Sequence, residues 1–108
     1  MRVFISQLMK GRTEEEIYEE RSRIEEKVHE LYPEPDLVYI DSFKPDALRP
    51  EFDGEDRSAL WCLGHSLKML AKADLFVMVE DAFQGRGCWI ELECAKAYGI
   101  PVRFLALP

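Results

Sequence analysis

The spacing of apolar residues predicts strands and helices in alternation along the chain. Three segments repeat apolar residues at intervals of three, four or seven, as helices with one buried face do. Short strand-like runs lie between them. One of these, Leu75–Val79, is apolar at five successive positions, which is typical of a strand covered on both faces. The predicted strands are 2–6, 37–40, 73–80 and 102–107, and the predicted helices are 13–32, 58–72 and 87–99.

Residues that favour helix ends support these boundaries. Thr13 and Glu16 have the spacing of a capping box, in which each side chain accepts a hydrogen bond from the other residue's backbone N–H. Pro33 ends the first helix. Gly99 is expected just past the last helix, where a left-handed backbone is common, and Pro101 prevents that helix from continuing.

The order of elements, β-α-β-α-β-α-β, indicates the fold class. Strands that alternate with helices form a parallel sheet with helices on both faces and right-handed crossovers. We therefore expect a single domain over residues 1–108, a flavodoxin/Rossmann-like three-layer α/β sandwich with four to five parallel strands. Ligands of such sheets bind beyond the carboxyl ends of the strands, where the strand order reverses. The loops expected to form a site are 7–12, 41–55 and 81–86.

The charge of the chain limits its possible partners. The 108 residues carry a formal net charge of -7, with many acidic residues in the first predicted helix. Such a surface repels phosphate backbones, so we expect no nucleic-acid polymer as partner, although a pocket could still hold a small nucleotide. No apolar run approaches the roughly 20 residues of a membrane span, and the N-terminus lacks signal-peptide features. A cytoplasmic protein without membrane contact is the expectation.

The cysteines do not have the spacing of metal ligands. Cys62, Cys88 and Cys94 form no CxxC pair, and His29 and His65 lie far from them in sequence. We expect reduced, buried thiols, no metal site and no cofactor.

Two glutamates in the last helix are the main candidates for chemistry. Residues two apart on a helix point about 200° apart, so Glu91 and Glu93 cannot serve one site. With Ile90, Cys94 and Ala97 expected against the sheet, Glu91 would point towards the crevice and Glu93 towards solvent or a partner chain. The macrodipole near a helix start favours an ionised carboxylate, which suits a nucleophile; alternatively, Glu91 merely complements the dipole.

Three motifs give the chain a family resemblance. They are VFISQLMKGRTEEEI at 3–17, LAKADLFVMVEDA at 70–82 and GRGCWIELECAKAYGIPV at 85–102. With these the chain resembles the nucleoside 2-deoxyribosyltransferase superfamily, in particular its short phage and bacterial members of largely unassigned function. The resemblance covers nearly the whole chain.

The resemblance implies roles for individual residues. A glutamate early in the corresponding helix of the superfamily attacks the anomeric carbon of the sugar, and the matching position here is Glu91. The loop after the first strand, here from Ser6 to Gly11, contributes base or phosphate contacts in the family. The residues expected to bind the ligand are Ser6, Gln7, Gly11, Asp41, Arg86 and Gly87.

The chain also departs from the family pattern. Ser66 stands where many members carry an aspartate that contacts sugar or base, and the segment 84–87 replaces another aspartate. Arg86 could bind a phosphate or carboxylate, which favours a nucleotide over a free nucleoside. Asp74 is expected to be a structural carboxylate that binds backbone amides.

Two functions are the main candidates from the sequence, and a purely structural or partner-binding protein is a weaker third, suggested by Trp61 and Met69 off the main helical stripe. The first is cleavage or transfer of the N-glycosidic bond of a (deoxy)nucleoside or nucleoside monophosphate, with Glu91 as nucleophile and Asp41, Asp53 or Asp81 as candidate proton donors. The alternative is a non-catalytic module that binds a nucleotide or nucleotide signal. Either would be a homodimer or higher homo-oligomer, since the chain is small and rich in large apolar side chains.

Overall fold

Four strands and three α-helices alternate along residues 1–40 and 57–107, the part of the chain that the computed structural model describes. The strands are β1 (Arg2–Ser6), β2 (Val38–Ile40), β3 (Leu75–Val79) and β4 (Val102–Leu105). The α-helices are α1 (Glu14–Leu31), α2 (Ser58–Leu70) and α3 (Arg86–Ala97). A 3-10 helix, Glu80–Gln84, occupies most of the segment predicted as an irregular loop after β3.

The four strands form one parallel sheet in the order β2-β1-β3-β4. Val3 aligns with Leu75 and Ser6 with Met78, so the two central strands run side by side in the same direction. The aligned rings of Phe4 and Phe76 stack with centroids 5.8 Å apart. The expected parallel α/β sheet is therefore confirmed, with four strands in the described part of the chain.

The strand order determines where the helices lie. The chain leaves β1 towards β2 in one direction and returns past β1 to β3 and β4 in the other. Because the crossovers of parallel strands are right-handed, this reversal places α1 on one face of the sheet and α2 with α3 on the other. The result is a flavodoxin/Rossmann-like three-layer sandwich, and the reversal point lies between β1 and β3.

The core is built from the strands and the inner stripe of each helix. All five residues of β3 are buried, as its continuous apolar run predicts. Ile17, Ile24 and Val28 of α1 are almost fully buried, at the helical spacing expected from the sequence. Burial of each such side chain stabilises the fold by about 1.5–3 kcal/mol. This packing holds α1 against the sheet and so fixes the ends of the strands at which the site lies.

Local contacts confirm several predicted ends. Thr13 Oγ1 accepts from the Glu16 backbone N–H at 3.1 Å, and Glu16 Oε1 accepts from the Thr13 N–H at 2.9 Å, which completes the capping box. Gly99 follows α3 with a φ of 75°. The carboxylate of Asp74 accepts from the Arg2 backbone N–H at 2.8 Å, as expected of a structural aspartate. Among the described residues, no helix is long and apolar enough to cross a membrane.

Candidate functional site

A cleft of about 460 Å³ opens at the carboxyl ends of β1 and β3. The end of β1 and the loop that follows it form one wall, α2 forms a second, and the first two turns of α3 form the third. This is the reversal point of the strand order, where parallel α/β sheets bind ligands. Five of the predicted site residues line it: Ser6, Gln7, Arg86, Gly87 and Glu91.

The Glu91 side chain lines this cleft from α3. Glu91 is only 8% exposed, and Ser6 Oγ donates a hydrogen bond of 2.8 Å to its Oε1. Ser66, on α2, hydrogen-bonds the same carboxylate. Burial raises the pKa of Glu91 to about 7, and the two serine hydroxyls offset only part of this rise. Glu91 can therefore exchange a proton near neutral pH.

The position of Glu91 within α3 corrects two expectations. Glu91 is the sixth residue of the helix, past the first turn in which the macrodipole acts, so the expected preference for the ionised form is outweighed by burial. The expected inner face was wrong for Ile90, which is 39% exposed, and for Ala97, which is exposed, whereas Cys94 is half-buried and packs against the core. The buried stripe is Cys88, Glu91, Leu92 and Ala95.

That stripe has a recognisable spacing. Its members stand at i, i+3, i+4 and i+7, the pattern of a helix face packed on a core. A carboxylate within such a pattern is rare unless it has partners or a function. This signal is present in the sequence, and it identifies Glu91 without reference to any family. Glu93, in contrast, is exposed and lies 3.9 Å from Lys96 Nζ.

Ser6 and Gln7 serve opposite faces of the sheet. Successive residues of an extended chain point to opposite sides, so Ser6 reaches α3 while the side chain of Gln7 reaches α1. Gln7 Nε2 donates to Ile17 O and to Glu20 Oε1, both at 3.1 Å, and Gln7 Oε1 accepts from Arg21 Nε. Gln7 lines the cleft, but its side-chain amide is bound on the other side of the sheet.

A tight turn follows in the β1 loop. Arg12 N–H donates to Met9 O at 3.2 Å, and Gly11 has a φ of 80°, the conformation that the third residue of a type II turn requires. Gly11 is not among the described residues that line the cleft, whereas Leu8, Met9 and Lys10 are. The turn thus places Leu8, Met9 and Lys10 at the cleft.

The start of α3 forms the opposite wall. No side chain caps this helix at Gly85, and a Cβ built there would lie 3.2 Å from both Cys88 Sγ and Leu8 Cδ1. A Cβ at this position would require Cys88 or Leu8 to shift by a few tenths of an ångström. Arg86 is exposed at the first position of the helix, and Lys10 lines the same cleft from the β1 loop. Two cations and free backbone donors can together hold an anionic group.

Asp81, one of the candidate proton donors, is directed away from this cleft. Its carboxylate pairs with the guanidinium of Arg12 and lines a second cleft of about 330 Å³ on the α1 side. Asp41 and Asp53, the other two candidates, lie outside the described residues.

The thiols differ from one another. Cys88 is buried, its Sγ donates to Gln7 O at 3.5 Å, and burial raises the pKa of the thiol. Cys62 is exposed and lines the cleft, and Cys94 is half-buried, so the expectation of buried thiols was right only for Cys88. Within residues 1–40 and 57–107, no group of three His, Cys, Asp or Glu side chains could hold a metal ion.

Comparisons of the chain with protein-family models, with curated proteins and with solved structures find no match. The resemblance to the nucleoside 2-deoxyribosyltransferase superfamily therefore rests on the three motifs quoted above. The role of Ser66 as a hydrogen-bond partner of Glu91 was not predicted. The sequence only placed Ser66 where many members of the superfamily carry an aspartate.

Proposed function

We propose that this protein cleaves or transfers the N-glycosidic bond of a (deoxy)nucleoside or nucleoside monophosphate, with Glu91 as the nucleophile. The observation that carries the proposal is the buried carboxylate of Glu91, the one carboxylate among the described residues that line the cleft, bound by two serine hydroxyls and with a pKa of about 7. A buried carboxylate with so few partners costs stability, and this cost is typical of a functional group.

The proposed reaction proceeds in two steps. In the first, an oxygen of ionised Glu91 forms a bond to C1′ while the bond from C1′ to the base nitrogen breaks, and the departing base takes up a proton. In the second, water or another base attacks C1′ and releases Glu91, which gives hydrolysis or transfer. Asp41 and Asp53 remain candidate donors of the proton to the base.

The cleft wall favours a nucleotide as ligand. Leu8, Met9 and Leu63 provide an apolar surface suited to a base. Lys10 and Arg86 provide positive charge in a chain whose net charge is -7. A nucleoside monophosphate uses both features, whereas a free nucleoside leaves the cations without a partner.

The alternative is a module that binds the same nucleotide without turnover. It is favoured by the absence of a second carboxylate among the described residues of the cleft, where Ser66 binds Glu91 instead. In this case the serine pair would serve to hold Glu91 as an acceptor for a ligand hydroxyl or amino group.

Base release distinguishes the two functions. Purified protein is incubated with a panel of nucleosides and monophosphates, and free base is separated by chromatography. We expect release by the wild type and by Glu93→Gln, and none by Glu91→Gln, because an amide cannot act as the carboxylate nucleophile. Release by Glu91→Gln at the wild-type rate would contradict the role of Glu91. Saturable binding without release by the wild type would leave the binding module as the function.

A further inference from the structure

The loop after β1 and the segment after β3 are joined by Arg12 on the α1 side of the sheet. One guanidinium nitrogen donates to Glu20 Oε1 at 2.7 Å, and the other donates to the carboxylate of Asp81. Glu20 is on α1 and also accepts from the amide of Gln7. Arg12 thus connects the β1 loop, α1 and the segment after β3.

This bridge is partly shielded from water, least so at Asp81, whose side chain is 35% exposed. The side chain of Arg12 is 22% exposed and that of Glu20 is 10% exposed. Charged hydrogen bonds in such surroundings are less screened than surface ion pairs. Only arginine offers donors in a planar fork that can reach two separate carboxylates at once, whereas the ammonium of a lysine is a compact point charge.

The same two segments touch again on the cleft side. Leu8 packs closely on Gly85, since a Cβ added there would lie 3.2 Å from Leu8 Cδ1. Cys88 Sγ donates to Gln7 O. Between these contacts and the bridge lies the turn that places Met9 and Lys10 at the cleft. The position of this turn therefore depends on contacts at both of its ends.

We infer that Arg12 is a positioning residue, which fixes the β1 loop against the segment after β3 and so sets ligand affinity without touching the ligand. The inference concerns the same site as the proposed function and rests on it for the identity of the ligand. It also gives Asp81 a definite role, as the second anchor of Arg12 and not as a proton donor.

Kinetics of three variants test the inference. With the best substrate from the panel, Arg12→Ala and Asp81→Asn should each raise KM about tenfold, the factor that follows from roughly 1.4 kcal/mol of lost binding free energy. We expect kcat within about twofold of wild type, because Ser6 and Ser66 still hold Glu91. Arg12→Lys should lie between Arg12→Ala and wild type. The matched control is Arg23→Ala, which removes an exposed cation from α1.

A second measurement does not depend on any ligand. Alkylation of the three thiols by N-ethylmaleimide is followed by peptide mass spectrometry under native conditions. If the loop loosens, Cys88 should react about tenfold faster in Arg12→Ala and Asp81→Asn. The reason is that the free energy of the local opening that exposes Cys88 would fall by roughly 1.4 kcal/mol. The alkylation rate of Cys94 should stay unchanged. An unchanged rate shows that the faster reaction of Cys88 does not come from global unfolding. Asp81→Asn keeps the bond between Arg12 and Glu20, so it remains informative if Arg12→Ala does not fold.

The outcomes separate this inference from the proposed function. If the wild type releases no base, the proposed function is wrong. The alkylation rates still test the role of Arg12 in that case. If Cys88 is alkylated at the wild-type rate in both variants, the inference is overturned, whatever the KM and kcat values are. A large loss of kcat in Asp81→Asn at unchanged KM also overturns it, because that result assigns Asp81 to the chemistry.

Discussion

Replacing Glu91 by glutamine should remove a loss of stability that the wild type undergoes as the pH rises from about 5 to about 8. The amide keeps the shape of the side chain and can still accept the hydrogen bond from Ser6, but it cannot ionise. Wild-type Glu91 must ionise in a buried position as the pH rises. The difference in stability between the two proteins therefore reports the cost of that buried charge.

The size of the effect follows from the two pKa values. Glu91 titrates at about 7 in the folded protein and at the ordinary 4.5 when unfolded. Below pH 4.5 both states hold the proton, so the full stability is present; above it the unfolded state loses its proton first, and stability falls until the pH passes about 7. At about 1.36 kcal/mol per pH unit the total is roughly 3.4 kcal/mol, of which about 2.5 kcal/mol falls between about pH 5 and pH 8.

Urea unfolding of the two proteins at several pH values measures this difference. Groups other than Glu91 titrate equally in both proteins and cancel. The neighbouring Cys88 thiol does not interfere, because burial raises its pKa above the ordinary 9.0. Expressed as a melting temperature, the wild type should lose roughly 10 °C relative to Glu91→Gln over this range. Glu93→Gln is the control and should follow the wild type at every pH.

A pH-independent difference would refute the reasoning. If wild type and Glu91→Gln differ by the same free energy at pH 5 and pH 8, the folded-state pKa of Glu91 is not raised. The cleft would then hydrate this carboxylate well enough to remove the cost of burial.

Two further predictions concern the site. Base release should increase with pH through about 7, since only ionised Glu91 attacks C1′ and acidification protonates it; a rate-versus-pH profile that is flat from about pH 5 to pH 8 would contradict the nucleophile. Gly85→Ala should destabilise the fold by about 1–3 kcal/mol in urea unfolding, because its Cβ would press on Cys88 and Leu8 at 3.2 Å. Gly87→Ala is the control, since its Cβ would meet only Leu63 at 3.9 Å, and equal stability of the two variants would contradict the crowding.

The parallel fold could be predicted because its signals are local. Period and run length distinguish the strands from the helices, and the capping box and Gly99 mark helix ends by backbone chemistry that acts within a few residues. The handedness of crossovers then leaves few arrangements of the sheet. The 3-10 helix Glu80–Gln84 was missed, because five residues give no periodic pattern.

The candidate site was predicted only in part, because its partners are far apart in sequence. Glu91 was found from the helical angle and the resemblance, and the exposure of Glu93 supports the distinction between the two. The expected preference for its ionised form was wrong, since burial depends on how α2 and the sheet surround Glu91 and not on its neighbours in the helix. The bridge from Arg12 to Glu20 and Asp81 joins residues up to 69 positions apart, and no spacing rule predicts it.

The opposite directions of Ser6 and Gln7 have a consequence for directed evolution. Adjacent codons at the end of β1 encode residues with separate roles. Ser6 contacts the carboxylate of Glu91, and Gln7 binds α1 through three hydrogen bonds. A library for new ligands should therefore randomise codon 6 and keep codon 7 fixed. Deleting one residue within β1 would exchange the two directions, so that the glutamine faces Glu91 and the serine faces α1. Short deletions in this strand should thus be far more damaging than substitutions at its last position.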